Sequence, residues 1–353
     1  MNGTKFRTLL VLVSLGLCLF AQDARFSQFY ASPLTLNPAF TGLINSKYRV
    51  TSIIRSQGLS MSAPMTTYGS SFDIIFGKDP FAEHFFGVGI TALNDFGQFN
   101  GLVQNQFLAS GAFHKILNRR HIIAYGIQIG PVITSTNMGN DLMFPDNVNA
   151  AGNGFDTGLG NEVGFQTSSF SFDFNTGLGY LGKIGRHSIF SGVSIYHLLP
   201  SRTGLIDNAI PLAQRYTLHG GVKIKILEQY RITPHFVYQS QQQYREMNIG
   251  SNFEINIPDN AKPYTIISMG SYLRLNGGGN DDFIAPNALI IMAGISFMDF
   301  NLGLAYDINM NTYQEKNYGI NAGHQYGFEI SLAYEGMLQG KKRGRITIGC
   351  PKW

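Results

Sequence analysis

The sequence is poor in charge and in cysteine, and beyond its first residues it has no long apolar run. Charged residues make up 14% of the 353 residues, whereas about 25% is usual for a soluble protein. The formal net charge of +4 is too small for the strong basic field that holds nucleic acid. No internal stretch reaches the roughly twenty apolar residues that a transmembrane helix needs. These absences argue against a nucleic-acid-binding protein and against a helical membrane protein.

The first residues have the pattern of a cleaved secretory signal. Two basic residues precede an apolar run over 9–20, and Ala21 is the small residue expected before a cleavage point. We therefore predict a signal peptide over 1–21. Its removal takes Cys18 away and leaves Cys350 as the single thiol, so that no intramolecular disulfide can form.

The remaining composition indicates strands. Aromatic residues reach 13%, with 41 Gly and 17 Tyr. In the segment 214–226, for example, the even-numbered residues are mainly apolar and the odd-numbered ones mainly polar. Segments of about ten residues with this alternation are typical of a transmembrane β-barrel, and they exceed the usual strand length of a soluble β-sandwich, the other fold considered. Because an open sheet edge would leave unsatisfied backbone groups in lipid, we predict a closed, all-β, transmembrane antiparallel barrel.

The alternation predicts about fourteen strands, an even number as in bacterial barrels. Together they make a barrel over 47–335. The predicted strands are 47–56, 65–77, 84–95, 101–115, 121–134, 169–182, 186–197, 214–226, 230–240, 243–255, 263–276, 285–297, 300–309 and 323–335.

The connections between these strands alternate in length. Long connections rich in Gly, Asn and Asp follow odd strands and are expected to be extracellular, whereas short turns follow even strands and are expected to be periplasmic. The remainder, 336–353, is predicted to be a basic periplasmic tail. The long connections are 135–168, 198–213, 277–284 and 310–322; the short ones are 182–185, 227–229 and 298–299; the basic residues of the tail are Lys341, Lys342, Arg343 and Arg345.

The sequence contains no recognisable catalytic or metal-binding pattern. Its eight His residues form no two-His metal spacing with a third ligand. The run 277–282 offers carboxylate and amide oxygens but lacks the spaced acidic residues of a calcium loop. No nucleophile elbow or phosphate loop occurs. We therefore predict a protein that is not an enzyme and that has no cofactor and no metal site.

The segment 22–46 contains a more specific pattern. Its residues resemble the opening of the PorP/SprF family, outer-membrane proteins of the type IX secretion and gliding systems. Similar blocks occur at 87–97, 172–177, 194–198 and 328–332, and Cys350 begins a similar Cys-Pro terminus. One departure is Gly58, where the family tends to have Trp. The pattern consists of Phe26, Ser27, Gln28, Asn37, Pro38 and Gly42.

The resemblance implies an integral protein of the bacterial outer membrane without catalytic activity. It implies that the barrel supports the secretion and surface attachment of a cognate secreted protein, such as a large adhesin with a C-terminal sorting domain. The other partners implied are components of the type IX secretion system and outer-membrane lipid, and no nucleic acid is expected. The loops 135–168, 198–213 and 310–322 would provide the recognition surface.

Two alternative functions remain open at this stage. One is a passive outer-membrane porin or a hydrophobic-solute channel. Fourteen strands fall below the 16 to 18 that leave a clear aqueous channel, so that the lumen of such a barrel can be open, plugged or lined for a ligand. The other is a scaffold for the periplasmic secretion ring. For the family motif in 22–46 we expect a role as a lumen plug or as a periplasmic contact. Pro33 and Pro38 favour extended backbone before them and exclude a helix across the motif.

Overall fold

The structure is a computed structural model. The described residues are 23, 25–58, 64–77, 82–97, 101–136, 168–199, 212–257, 265–278, 281–310 and 326–337, with the side chains of 278 and 281–284 left out. The predicted signal peptide lies outside them. So do nearly all of the predicted tail and most of the predicted loops 135–168, 198–213 and 310–322.

Fourteen antiparallel strands close into one barrel. Each strand pairs with the next, and β1 also pairs with β14, from Tyr48 opposite Gly336 to Gln57 opposite Gly327. The predicted barrel of about fourteen strands is confirmed. The strands are β1 (Tyr48–Gln57), β2 (Met65–Phe76), β3 (His84–Gly97), β4 (Leu102–Asn118), β5 (His121–Thr136), β6 (Ser168–Ile184), β7 (His187–Tyr196), β8 (Arg215–Lys225), β9 (Tyr230–Gln241), β10 (Tyr244–Ile257), β11 (Thr265–Gly278), β12 (Asp281–Phe297), β13 (Phe300–Asn309) and β14 (Gly327–Gly336).

Side chains alternate between the lumen and the outer surface along the strands. On β1, Val50 and Ile54 are each 43% exposed, whereas Thr51 and Arg55, which directly follow them, are 3% and 4% exposed. The outward side chains are mainly apolar, as a lipid-facing surface requires, and many of the inward ones are polar or charged. The period-two pattern therefore sorts the residues onto the two faces as predicted.

The two ends of the barrel differ in their connections. At one end the strands are joined by short turns, such as Arg119 with Arg120 and Met298 with Asp299. At the other end β5 ends at Thr136 and β6 begins at Ser168, β7 ends at Tyr196 and β8 begins at Arg215, and β13 ends at Asn309 and β14 begins at Gly327. By the usual rule for outer-membrane barrels the short-turn end faces the periplasm and the long-loop end faces the exterior.

The prediction of an extracellular loop over 277–284 was wrong. β11 continues to Gly278 and β12 begins at Asp281, with Gly278 opposite Asp281, so that the two strands form a tight hairpin. Gly, Asn and Asp favour turns, but composition does not tell how much of such a run becomes strand.

Candidate functional site: the N-terminal segment inside the barrel

Residues 23 and 25–46, named here the N-terminal segment, lie inside the barrel. Leu34, Phe40 and Leu43 are at most 1% exposed, which is typical of a protein core. All residues of the family motif are buried in the same place. They are Phe26, Ser27, Gln28, Asn37, Pro38 and Gly42.

The segment is built of single helical turns. These are Phe29–Ala31, α1 (Pro33–Leu36) and Pro38–Phe40. The expectation that the prolines exclude helix here was therefore wrong at this short scale. Each proline occupies the first helical position, where its missing N–H is not needed. Among the described residues no helix is long and apolar enough to cross a membrane.

The segment runs through the lumen from one end of the barrel to the other. Asp23 contacts His197 and Arg215, which border the long loop between β7 and β8. Gly42 lies against Ile74 and Gly87, near the short-turn end of β2 and β3. The chain then enters β1 at the short-turn end.

A buried charge cluster holds Ser27. The Oε1 atom of Glu329 accepts the backbone N–H of Ser27 at 2.5 Å, and Oε2 accepts that of Gln28 at 2.8 Å. Arg55 donates to Glu329 at 2.5 Å and to Asp307 at 3.0 Å. The Ser27 hydroxyl donates to Asp307 at 2.7 Å. Two guanidinium groups thus balance two carboxylates, the condition for burying charge, with Arg274 supplying the second one at 2.9 Å from Asp307.

Asn37 is fixed by the walls of β6 and β7. Its amide Nδ2 donates to the carbonyls of Leu178 and Val193 at 2.9 and 3.3 Å. Its Oδ1 accepts the N–H of Ala39 at 2.9 Å, which caps the last helical turn. A Cβ added to Gly177 would overlap Oδ1 of Asn37. Only glycine therefore leaves room for Asn37 at this point of the wall.

Gly42 is bound at the periplasmic end. Its N–H donates to the carboxylate of Asp73 at 2.7 Å. Arg49 donates two hydrogen bonds of 2.9 and 2.8 Å to the same carboxylate. Gly42 has φ +69°, a conformation that L side chains rarely adopt. A Cβ on the facing Gly87 would overlap the carbonyl of Thr41. This close approach requires glycine on both sides.

Asp23 forms the contact at the outer end. Its carboxylate lies 2.7 Å from Nε2 of His197 and 3.1 Å from Nη1 of Arg215, and Asp173 binds Nδ1 of the same imidazole at 2.9 Å. Burial alone would lower the pKa of His197, but the two carboxylates outweigh it and raise that pKa to about 9. Burial would raise the pKa of Asp23, yet the positive charges of His197 and Arg215 hold it well below its usual range. The pair is therefore ionised at neutral pH.

Aromatic rings fill the middle of the lumen. Tyr30 meets the rings of Phe190 and His235 edge to face, with centroids 5.2 and 5.0 Å apart. Phe40 meets His219 at 5.0 Å. A cavity of about 50 Å³ lies beside Asp23 and is bordered by Gln128 and Asp95. It has room for a few water molecules.

The arrangement is suited to anchoring. The hydroxyl of Ser27 accepts hydrogen bonds from Arg55 and Arg274 and donates one to Asp307, so that three side chains of the wall hold it in place. In the described part of the chain no three His, Cys, Asp or Glu come together as metal ligands.

Sequence reasoning found the motif but missed its receptors in the wall. The sequence does contain a sign of some of these residues. On strands where apolar and polar residues alternate, charged residues recur at the inward-facing positions. The missed residues are Arg49, Arg55, Asp73, Gly177, His197, Arg215, Arg274, Asp307 and Glu329.

Comparison with known proteins gives a family match over nearly the whole chain. The family described as "Type IX secretion system membrane protein PorP/SprF" matches residues 19–334. No curated protein matches. The toluene transporter TbuX of Ralstonia pickettii is similar with TM-score 0.51 and 10% identity, over 89% of this chain and 96% of that one. A deletion mutant of TodX, a monoaromatic hydrocarbon channel, gives TM-score 0.52 and 9% identity, over 86% and 94%. At such identities these likenesses show the barrel fold alone.

Proposed function

This chain belongs to the PorP/SprF family of type IX secretion system membrane proteins, and from that premise we propose that it is a non-enzymatic outer-membrane anchor for a cognate secreted protein. The barrel is the rigid membrane part. Its outer end binds the partner, and the N-terminal segment acts as a lumen plug that keeps the barrel closed and stiff.

The observation that supports this proposal best is the occupied lumen. The segment is held at three levels by buried charges, through Asp23, Ser27 and Gly42. Breaking one buried ion pair typically costs about 3–5 kcal/mol. A passive porin or solute channel would require the N-terminal segment to leave the lumen. Several of these buried charge contacts would then have to break at the same time.

The proposed partner surface is the long-loop end. Loops held by a rigid scaffold are the usual carriers of recognition. The strands β5, β7 and β13 end there, and the segments 137–167, 200–211 and 311–325 that follow them in the sequence are outside the described residues. The partner we propose is a large secreted protein, such as an adhesin, that is recognised through its C-terminal sorting domain and is exported or retained with other type IX secretion components.

A pull-down tests the proposal. The tagged barrel is solubilised from outer membranes in detergent, and co-purifying proteins are identified by mass spectrometry. We expect one large secreted protein with a C-terminal sorting domain. Shortening 140–164, which leaves β5 and β6 intact, should abolish its recovery, whereas the equivalent shortening of 202–209 shows whether the loss is specific to one loop. Recovery of the barrel alone, together with steady ion conductance, would favour a channel.

A scaffold role in the periplasm predicts different contacts. Crosslinking from position 345 in the basic tail would then capture periplasmic ring components. Under the anchor proposal the main crosslinks come instead from the outer loops.

A further inference from the structure

Two neighbouring turns at the short-turn end present four basic residues, named here the basic turn site. Arg119 and Arg120 join β4 to β5, and Lys183 and Arg186 lie at the turn between β6 and β7. The N–H of Lys183 donates to the carbonyl of Arg120 at 2.8 Å, which ties the two turns together. The three arginines are exposed. The site therefore faces outward at one place on the rim.

The basic turn site has an excess of positive charge. In the part of the chain that the structure describes, none of its four residues forms an ion pair within 4 Å. The next turn contains Glu228, which is bound by Lys225 at 2.6 Å. Lys225 is the main cause of the lowered pKa of Glu228, with smaller contributions from Arg231 and Arg186. Glu228 is thus already engaged, and so is Glu83 beside β4, which lies 3.1 Å from Lys115.

The turns do not need arginine for their geometry. The side chain of Asn118 accepts the N–H of Arg120 at 2.8 Å and so closes the first turn. Gly185, at φ +60°, provides the left-handed residue of the second turn. Arg119 and Arg120 carry like charges at adjacent positions of a two-residue turn, and these charges repel each other. Features that cost stability in this way are often found at functional sites. The arginines are therefore free for another partner.

The residues around the basic turn site are typical of the boundary between membrane and water. Leu117 and Ile184, next to the turns on the lipid-facing side, are 54% and 62% exposed. His121 and Tyr180 stack on the same outer surface, and Nδ1 of His121 lies 2.7 Å from the Tyr180 hydroxyl. Such aromatic pairs are typical of the membrane interface. The three exposed arginines thus lie at the level of lipid headgroups.

We propose that the basic turn site binds the phosphate of an anionic phospholipid in the periplasmic leaflet of the outer membrane, with acyl chains against Leu117 and Ile184. Arginine binds phosphate through two parallel hydrogen bonds. A zwitterionic lipid would bring its own cation to a site that already has three exposed arginines, so that an anionic headgroup is preferred. The apolar residues beside the site favour a lipid over a soluble acidic protein.

The test compares two triple variants. R119Q/R120Q/R186Q removes three unpaired charges, whereas K115Q/K225Q/R231Q removes three charges at the same end that already lie within 3.1, 2.6 and 3.6 Å of carboxylates. Native mass spectrometry in detergent measures retained phosphatidylglycerol and phosphatidylethanolamine. Loss of three arginines at a lipid surface corresponds to about 100-fold weaker binding. We expect this loss in the first variant and near wild-type retention in the second.

Three results would overturn the proposal. The first is equal retention of phosphatidylglycerol by the arginine variant and the wild type. The second is that inorganic phosphate alone binds as tightly as the lipid, which would make the site one for a free anion. The third is a periplasmic protein that the wild type captures and the arginine variant loses while lipid retention is unchanged. All six positions lie at the rim of the barrel, and heat-modifiable migration in gels verifies that both variants are folded.

Discussion

The carboxylate of Glu329 accepts the backbone N–H of Ser27 at 2.5 Å inside the barrel. It joins the family motif near the beginning of the chain to the last strand of the barrel. The same carboxylate binds Arg55 on β1, so that one side chain connects the N-terminal segment with both strands that close the barrel.

Replacement of Glu329 by glutamine should destabilise the barrel strongly. Arg55 would lose a buried charge partner, and loss of one member of a buried pair typically costs about 3–5 kcal/mol. Urea unfolding in lipid vesicles, followed by tyrosine fluorescence, measures the change. The control is E228Q on the exposed turn, expected within about 0.5 kcal/mol of wild type. A similar small effect of both variants would contradict the anchoring role of Glu329.

A double-mutant cycle at Gly177 and Asn37 should show strong coupling. Gly177→Ala places a methyl group on Oδ1 of Asn37, and overpacking typically costs about 1–3 kcal/mol. In an N37A background that overlap is gone, so that G177A should cost much less there. The same unfolding assay gives all four corners of the cycle. Additive effects would show that Asn37 does not occupy this position.

The contact of Asp23 with His197 should weaken at alkaline pH. The folded-state pKa of His197 is about 9, above its ordinary 6.5. Its stabilising contribution is therefore fully present below about pH 6.5 and is lost as the pH rises through about 9. The difference of about 2.5 pKa units corresponds to roughly 3 kcal/mol. Unfolding free energies of wild type and H197Q should converge between pH 6.5 and 10. A constant difference would exclude the charged pair.

The intact barrel should not conduct ions, because the N-terminal segment fills its lumen. Replacement of 25–41 by a Gly-Ser linker of equal length should open a steady conductance in planar bilayers. Folding of the variant is verified by heat-modifiable migration in gels. Equal conductance of both proteins would show that the segment does not close the lumen.

Cysteine labelling should confirm which end faces the exterior. In a C350S background, Q243C lies in the hairpin between β9 and β10 and L227C in the turn between β8 and β9. A membrane-impermeant maleimide should label Q243C on intact cells and L227C only after permeabilisation. The reverse pattern would place the basic turn site on the outer surface.

The strands could be predicted from the sequence because each one repeats a local pattern. On β13, Leu302, Leu304 and Tyr306 are 41%, 42% and 39% exposed, as the alternation predicts. The run 277–284 was misjudged, since Gly and Asn allow both a loop and a tight hairpin. The helical turns at Pro33 and Pro38 were missed, because a first-turn proline both blocks and begins a helix.

The partners of the family motif could not be predicted. Ser27 and Glu329 are 302 positions apart, and Arg55 and Glu329 are 274 apart. No periodicity relates such residues. Only closure of the sheet makes β1 and β14 neighbours, and only then do their inward charges face the same segment.

The sequence by itself determined a membrane barrel, its strand number and which side chains face lipid, because a period of two and the need to pair every backbone group in hydrocarbon act within and between neighbouring strands. The tertiary structure alone decided where the N-terminal segment lies. Its position depends on buried charges of distant strands and on glycines in the wall whose missing side chains leave room for the segment. A charge can be buried only where an opposite charge has been brought to the same place.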